Sequence, residues 1–278
     1  MLRRLLLRLY RLPQRAGGLL PGDLGLASED VAIAANDGTW LHGWYLPATG
    51  SQEGRGPAVV MMHGWGSAAA DMLPAAPAVV GAGMPLLVID ARGHGRNQRT
   101  DFMSMPRFAE DVDAAVAWLR ARSDVAPDRI ALVGHSVGGG ACLLAAARDP
   151  RIAAVVSIAS MAHPREMIGR SFRRYRAPRP LIRIVLRTIE RTIGHAFDDF
   201  APLHTIARID APVLVLHGLD DRTVDPADAV RLANAGGLDT TLRLVPGAGH
   251  RSLEGFEPVL DEISRFLRTS LSGGTIEP

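Results

Sequence analysis

Lysine is absent from this chain: every one of the 31 residues counted as Lys or Arg is arginine. Set against 29 acidic residues this leaves a formal net charge of only +2. The sequence pI of about 9.2 therefore reflects how tightly arginine holds its proton rather than a cationic surplus. No basic stripe is joined to a nucleic-acid reading module, so nucleic acid is not an expected partner. Richness in Ala, Gly and Arg without Lys points to a GC-rich, bacterial coding sequence. Cysteine is nearly absent too. A single Cys142 excludes an internal disulfide and a cysteine-based metal site, and is expected as a small buried helical residue. The lack of a disulfide framework is compatible with a cytoplasmic location. What remains is ordinary for a globular protein: 47% hydrophobic and 22% charged residues in 278, enough for one large α/β domain.

The amino terminus has no acid before Asp23 and no apolar run long enough to span a bilayer. Leu2, Leu5, Leu6, Leu7, Leu9 and Leu12 alternate with Arg3, Arg4, Arg8 and Arg11, and Arg8 and Arg11 break the uninterrupted core a secretory signal would need. The spacing predicts an amphipathic basic helix over residues 1–12. Such a segment packs on the protein's own body, is a frayed end, or lies on an anionic membrane at the cytoplasmic face. Residues 1–28 are accordingly set apart from a main domain over 29–271, with a tail at 272–278.

Within the main domain, Val31–Ala35 and Trp40–Leu46 flank Asn36-Asp37-Gly38 and read as a hairpin. An alternation follows. Apolar runs at Ala58–Met62, Leu86–Ile89, Ile130–Val133, Ile152–Ile158, Val213–Leu216 and Thr241–Val245 are interleaved with helical stretches around Asp71–Ala82, Arg107–Arg122, Val137–Arg148, Pro226–Ala235 and Leu253–Leu271. Short runs apolar on both faces suit strands covered on both sides. Strand and helix in turn predict a mostly parallel sheet. His163–Thr205 breaks the rhythm. It is Arg-rich, with an apolar stripe at Leu181, Ile184, Val185, Ile189 and Ile193, and predicts a small helical cap over the carboxyl ends of the strands. Arginines on the cap's other face would be solvated, or would attract anionic headgroups or an acidic substrate.

Gly134-His135-Ser136-Val137-Gly138 lies between an apolar run and a helical stretch. A tight strand-to-helix turn there presents the hydroxyl of Ser136 as a nucleophile. A serine needs a base, and His250 in Gly247-Ala248-Gly249-His250 follows the last apolar run. The base needs a carboxylate. His217-Gly218-Leu219-Asp220-Asp221 offers two, of which Asp221 is preferred. The backbone N–H groups of Val137 and of Trp65, in His63-Gly64-Trp65-Gly66, are candidates for holding a developing oxyanion. His63, Gly64 and His135 beside the nucleophile, with Ile184 and Ile189 of the cap, are candidate substrate contacts. Asp90-Ala91-Arg92-Gly93-His94-Gly95 has no ligand partners at metal spacing and reads as a structural turn.

On His63–Gly66, Asp90–Gly95, Gly134–Gly138, His217–Asp221 with Val224, and Gly247–His250, the chain resembles the α/β-hydrolases, in their serine-aminopeptidase-like or carboxylesterase-like branch. The likeness runs from about Glu29 to Leu271. It implies a central eight-stranded, mostly parallel sheet, helices on both faces, a triad of Ser136, Asp221 and His250, no cofactor and no metal. The expected chemistry is hydrolysis of a small-molecule or lipid-like carboxylic ester through an acyl-enzyme. A thioesterase or peptidase would use the same residues, and a non-catalytic ligand-binding protein on the same body is the alternative of another class.

Overall fold

The computed structural model describes residues 17–50, 54–174, 176–251 and 253–272. The amphipathic stretch expected over residues 1–12 and nearly all of the carboxyl-terminal tail lie outside the described residues. Eight strands form one sheet: β1 (Glu29–Ala34), β2 (Trp40–Leu46), β3 (Gly56–Met62), β4 (Leu86–Ile89), β5 (Val125–His135), β6 (Ile152–Ile158), β7 (Val213–Gly218) and β8 (Thr240–Val245). Their order is β1-β2-β4-β3-β5-β6-β7-β8. β1 and β2 form an antiparallel hairpin, β2 runs antiparallel to β4, and every later pairing is parallel.

Helices α1 (Ala76–Gly81), α2 (Met105–Arg120), α3 (Val137–Ala146), α4 (Pro164–Arg174), α5 (Arg179–Ile193), α6 (Phe197–Phe200), α7 (Pro202–Thr205), α8 (Pro226–Ala235) and α9 (Leu260–Leu271) complete the described elements, with short 3-10 turns between them. Successive side chains of a strand point to opposite faces. Val60 and Met62 of β3 thus join Phe108 and Val112 of α2 on one side, while Val59 and Met61 join Val79 of α1 and Ile263 and Leu267 of α9 on the other. Two cores result, one per face, which is why the central strands carry unbroken apolar runs.

The hairpin turn closes through Gly38 N–H to the Ala35 carbonyl at 3.0 Å, with Gly38 at φ 81°. β5 begins five residues before the apolar run that marks it, because the pairing with β3 skips between Gly56–Val125 and Ala58–Ile130 and admits a half-buried polar stretch. The helical signal at Asp71–Ala82 resolves into a 3-10 turn over Ala69–Ala75, carrying Pro74, before α1 begins. Proline lacks the N–H that a continuous α-helix would use there. The interval between β6 and β7 is helical. It leaves β6 at its carboxyl end, and Arg170–Asp228 (2.7 Å) and Glu166–Arg231 (2.7 Å) tie α4 to α8. No helix among the described residues is long and apolar enough to cross a membrane.

Candidate active site

β5 ends at His135 and α3 starts at Val137, so Ser136 alone makes the turn, at φ 55° and ψ −120°. That is a costly conformation for a residue with a Cβ, held because the neighbours dictate it. Ser136 N–H donates to the Ile158 carbonyl of β6 at 2.7 Å, and its own carbonyl accepts from Gly140 N–H at 3.2 Å. A side chain at Gly134 would collide with the Gly138 carbonyl, and one at Gly138 with the carbonyls of Met62 and His63. The two glycines let β5, α3 and β3 meet behind the serine.

Two other loops converge on it. The loop after β7 is zipped to the loop after β8 by Leu219 N–H to the Val245 carbonyl (2.9 Å) and Asp220 N–H to the Ala248 carbonyl (3.0 Å). His250 Nε2 then lies 3.0 Å from Ser136 Oγ, and His250 Nδ1 lies 2.7 Å from Asp221 Oδ2. Asp221 is buried and Asp220 is exposed. Burial alone would raise the Asp221 carboxyl. It is outweighed by hydrogen bonds from His217, His250 and the Val224 N–H, which hold it well below the usual carboxylate range. An ionised Asp221 places the imidazole proton on Nδ1, so the lone pair of Nε2 faces the serine hydroxyl.

His217 belongs to a motif read from the sequence, where it has no role assigned in the site. It is fully buried, and its Nε2 lies 3.1 Å from Asp221 Oδ2 and 3.2 Å from the Val224 carbonyl. The carbonyl can only accept, so Nε2 carries the hydrogen and donates to both oxygens. Asp221 therefore sits between two imidazoles. The available signal was the His-Gly pair ahead of the twin aspartates.

The other candidates separate. Gly64 lies against the nucleophile: a Cβ there would be 3.1 Å from Ser136 Cβ. His135 is buried, its ring 5.3 Å from that of His250, and burial followed by the neighbouring His250 drops it to about 4, so it is neutral near pH 7. His63 departs from the role of a substrate contact. It is wholly buried and both nitrogens are engaged: Ala91 N–H donates to Nε2 at 3.0 Å, and Nδ1–H donates to the Gly64 carbonyl at 2.7 Å. It fastens the Gly64–Trp65 turn instead, and burial keeps it neutral. The Trp65 ring stacks on Phe108 at 6.2 Å and 12°, which anchors the same turn from its side chain. The Asp90–Gly95 loop is structural: Asp90 accepts Ala69 N–H (2.8 Å), and buried Arg92 pairs with Asp111 (2.7 Å) and with Asp37 of the hairpin turn (2.7 Å).

The cap stripe is rotated from its expected phase. On α5 the buried residues are Ile182, Val185 and Leu186, with Ile189 and Ile193 half-buried, whereas Leu181 is 44% and Ile184 52% exposed. Ile184 thus points away from the packed side and does not fit a pocket wall, while Ile189 packs on the core.

Among the described residues, His163, Asp198 and His204 bring potential metal-ligand atoms within 4.8 Å of one another. His163 Nδ1 accepts from Arg165 N–H (3.2 Å), so its Nε2 is the protonated nitrogen and donates to Asp198 (2.9 Å). This is the pattern of a side chain capping α4, with no lone pair turned toward the cluster centre. An open groove lined by Val116, Arg120, Arg148 and Arg151 reaches Ile152, at the amino end of β6 and so at the opposite end of that strand from the serine.

Comparison with known proteins agrees with this architecture. Residues 55–199 match the family model described as serine aminopeptidase, S33. An uncharacterized protein of Mycobacterium tuberculosis is 32% identical over 243 residues, 87% of this chain and 79% of that one. A thiohydrolase of Arthrinium phaeospermum is 34% identical over 135 residues, 47% of this chain and 42% of its own. Among solved structures, an esterase of Pyrococcus furiosus superimposes with a TM-score of 0.73 at 20% identity, covering 94% of this chain and 97% of that one. The matched half of the chain, the relative that spans most of it and the eight-stranded sheet agree, and the chain belongs to the serine aminopeptidase S33 family of α/β-hydrolases.

Proposed function

We propose that the protein hydrolyses a carboxylic ester through an acyl-enzyme on Ser136. The observation that carries this reading is the connected line Ser136 Oγ–His250 Nε2 (3.0 Å) and His250 Nδ1–Asp221 Oδ2 (2.7 Å), at a serine held with φ 55°. Hydroxyl, base and orienting carboxylate in hydrogen-bond reach are what nucleophilic attack at neutral pH requires.

In this mechanism Ser136 Oγ attacks the ester carbonyl carbon while His250 Nε2 takes the hydroxyl proton. The carbonyl oxygen becomes an oxyanion, for which the backbone N–H groups of Val137 and Trp65 are the assigned donors. The tetrahedral intermediate collapses, the C–O bond to the alcohol breaks, and His250 returns its proton to the leaving oxygen. Water then attacks the acyl-enzyme with His250 again as base, releasing the acid and restoring Ser136. The positive charge that forms on His250 is stabilised by Asp221, itself fixed by His217. A thioester would follow the same path with a thiolate leaving group, a reading favoured by the likeness to the Arthrinium phaeospermum thiohydrolase.

A fluorophosphonate probe tests the proposal directly. The wild-type chain is expected to be labelled at Ser136, and Ser136→Ala to lose labelling together with orders of magnitude in turnover on p-nitrophenyl esters. Near wild-type hydrolysis by Ser136→Ala would sink the assignment.

A further inference from the structure

The arginines of the helical interval fall into two groups. Those turned inward are spent on ion pairs: Arg165 with Glu190 at 2.5 Å and Arg170 with Asp228 at 2.7 Å. Those on the outside of α5 are not. Arg183, Arg187 and Arg191 are exposed, and among the described residues none of them pairs with a carboxylate. Glu190, the acid of this helix, is occupied by Arg165 and by the Phe197 N–H at 3.1 Å.

Two large aliphatic side chains share this cationic surface. Leu181 and Ile184 stand three residues apart, 44% and 52% exposed. At 3.6 residues per turn, the buried positions Ile182, Val185 and Leu186 define one side of α5, and positions 184, 187 and 191 the opposite one. The outer face is thus aliphatic at one end and arginine along its length. Arg176, in the turn that precedes the helix, and Arg173, near the end of α4, are exposed as well.

A face that only needed hydration would gain nothing from Leu181 and Ile184. A polynucleotide would use the arginines, but it is held best by stacking aromatics, and the described outer positions of α5 carry none. An anionic bilayer uses both features: guanidinium groups meet lipid phosphates, and the aliphatic side chains enter the acyl boundary. We infer that the outer face of α5 is a docking surface for anionic phospholipid membranes. Because the helical interval leaves the carboxyl end of β6, next to the Ser136 turn, docking there would hold the site close to the lipid interface. The inference does not depend on the ester reading, and its readout is binding.

The test uses the full chain with phosphatidylcholine vesicles, with or without about a quarter phosphatidylglycerol. Cys142 is wholly buried and burial pushes its thiol up, so an environment-sensitive fluorophore on Leu181→Cys reports that position alone. Leu238→Cys, in the turn before β8, is the exposed control. The Leu181 probe is expected to shift to the blue with phosphatidylglycerol vesicles only, and the Leu238 probe to stay aqueous. Reversing Arg183, Arg187 and Arg191 to Glu together should weaken vesicle binding at least about tenfold. The same variant should keep its unfolding midpoint and its hydrolysis of a short soluble ester. A Leu181 probe as aqueous as that at Leu238, or unchanged binding after charge reversal, overturns the inference. So does loss of affinity for a polynucleotide in place of vesicles.

Discussion

Asp221 is the residue on which most of the site's geometry turns. Its Oδ1 accepts the N–H groups of Thr223 (2.8 Å) and Val224 (2.9 Å), while Oδ2 lies within reach of both His217 and His250. Backbone donors of the following turn fix the carboxylate in place, and the imidazoles compete for its outer oxygen. Asp220, one residue earlier, is exposed, and among the described residues its bond is that of its backbone N–H to the Ala248 carbonyl. Asp221→Asn should therefore cut turnover by about three to four orders of magnitude, because an amide can turn its NH2 toward Nδ1 and favour the wrong tautomer. Asp220→Asn should stay within a few-fold of wild type. Steady-state kinetics on one soluble ester decides it, and a more damaging Asp220→Asn would place the acid one residue earlier. The pH–rate profile carries a second consequence. Since its neighbours hold Asp221 ionised well below the ordinary carboxylate range, protonation of Asp221 cannot cause any loss of activity between pH 5 and 7.

Helix α5 shows what is decided at the scale of an element. The stretch Leu181-Ile182-Arg183-Ile184-Val185-Leu186 is apolar at both 181, 184, 185 and 182, 185, 186, two helical faces about 100° apart. Periodicity fits either phase. The packed face is the second, since Ile182 and Leu186 join the core with Met161, Ala162, Phe197 and Phe200. This fixes the expected effects of truncation. Ile184→Ala should leave both the unfolding midpoint and the chain-length preference for p-nitrophenyl esters unchanged. Leu186→Ala should cost about 2–5 kcal/mol, the usual penalty for emptying a buried leucine site. Denaturant unfolding and a substrate series on the two variants check this, and a shifted chain-length profile in Ile184→Ala would return that side chain to the pocket. The Ser136 turn is the contrasting case. There, glycines at fixed offsets between an apolar run and a helix leave one arrangement, and the local text was sufficient.

For the whole molecule, the burial of histidines makes part of its stability depend on pH. His94 is buried against His63 and Phe108, with ring centroids 5.1 Å from each, and burial above all, with the adjoining imidazole of His63 as the lesser cause, lowers it to about 4; burial likewise lowers His135 to about 4. In the unfolded chain each would take up a proton near 6.5. The stabilisation from keeping them neutral is complete above about pH 6.5 and is lost as pH falls towards 4, at up to about 3 kcal/mol per histidine. Asp111 and Asp113, raised by burial to about 6, act in the opposite sense over the same window, so the difference between variants reads the histidine. Relative to wild type, His94→Asn, which keeps a donor for the Arg92 carbonyl at 3.1 Å, should gain in unfolding midpoint as pH falls from about 6.5 towards 4, and a pH-independent difference would move the effect elsewhere. By itself the sequence determined the alternation of strands and helices, the hairpin, the turn at Ser136 and the loops bearing Asp221 and His250, because each is written in neighbouring residues as hydrophobic period, glycine offset or turn chemistry. Only the tertiary structure decided the strand order, the second imidazole on Asp221, the complete burial of His63 and the buried face of α5. Those depend on partners remote in the chain, Ser136 and His250 being 114 residues apart, and on which of two equally apolar surfaces the rest of the protein covers.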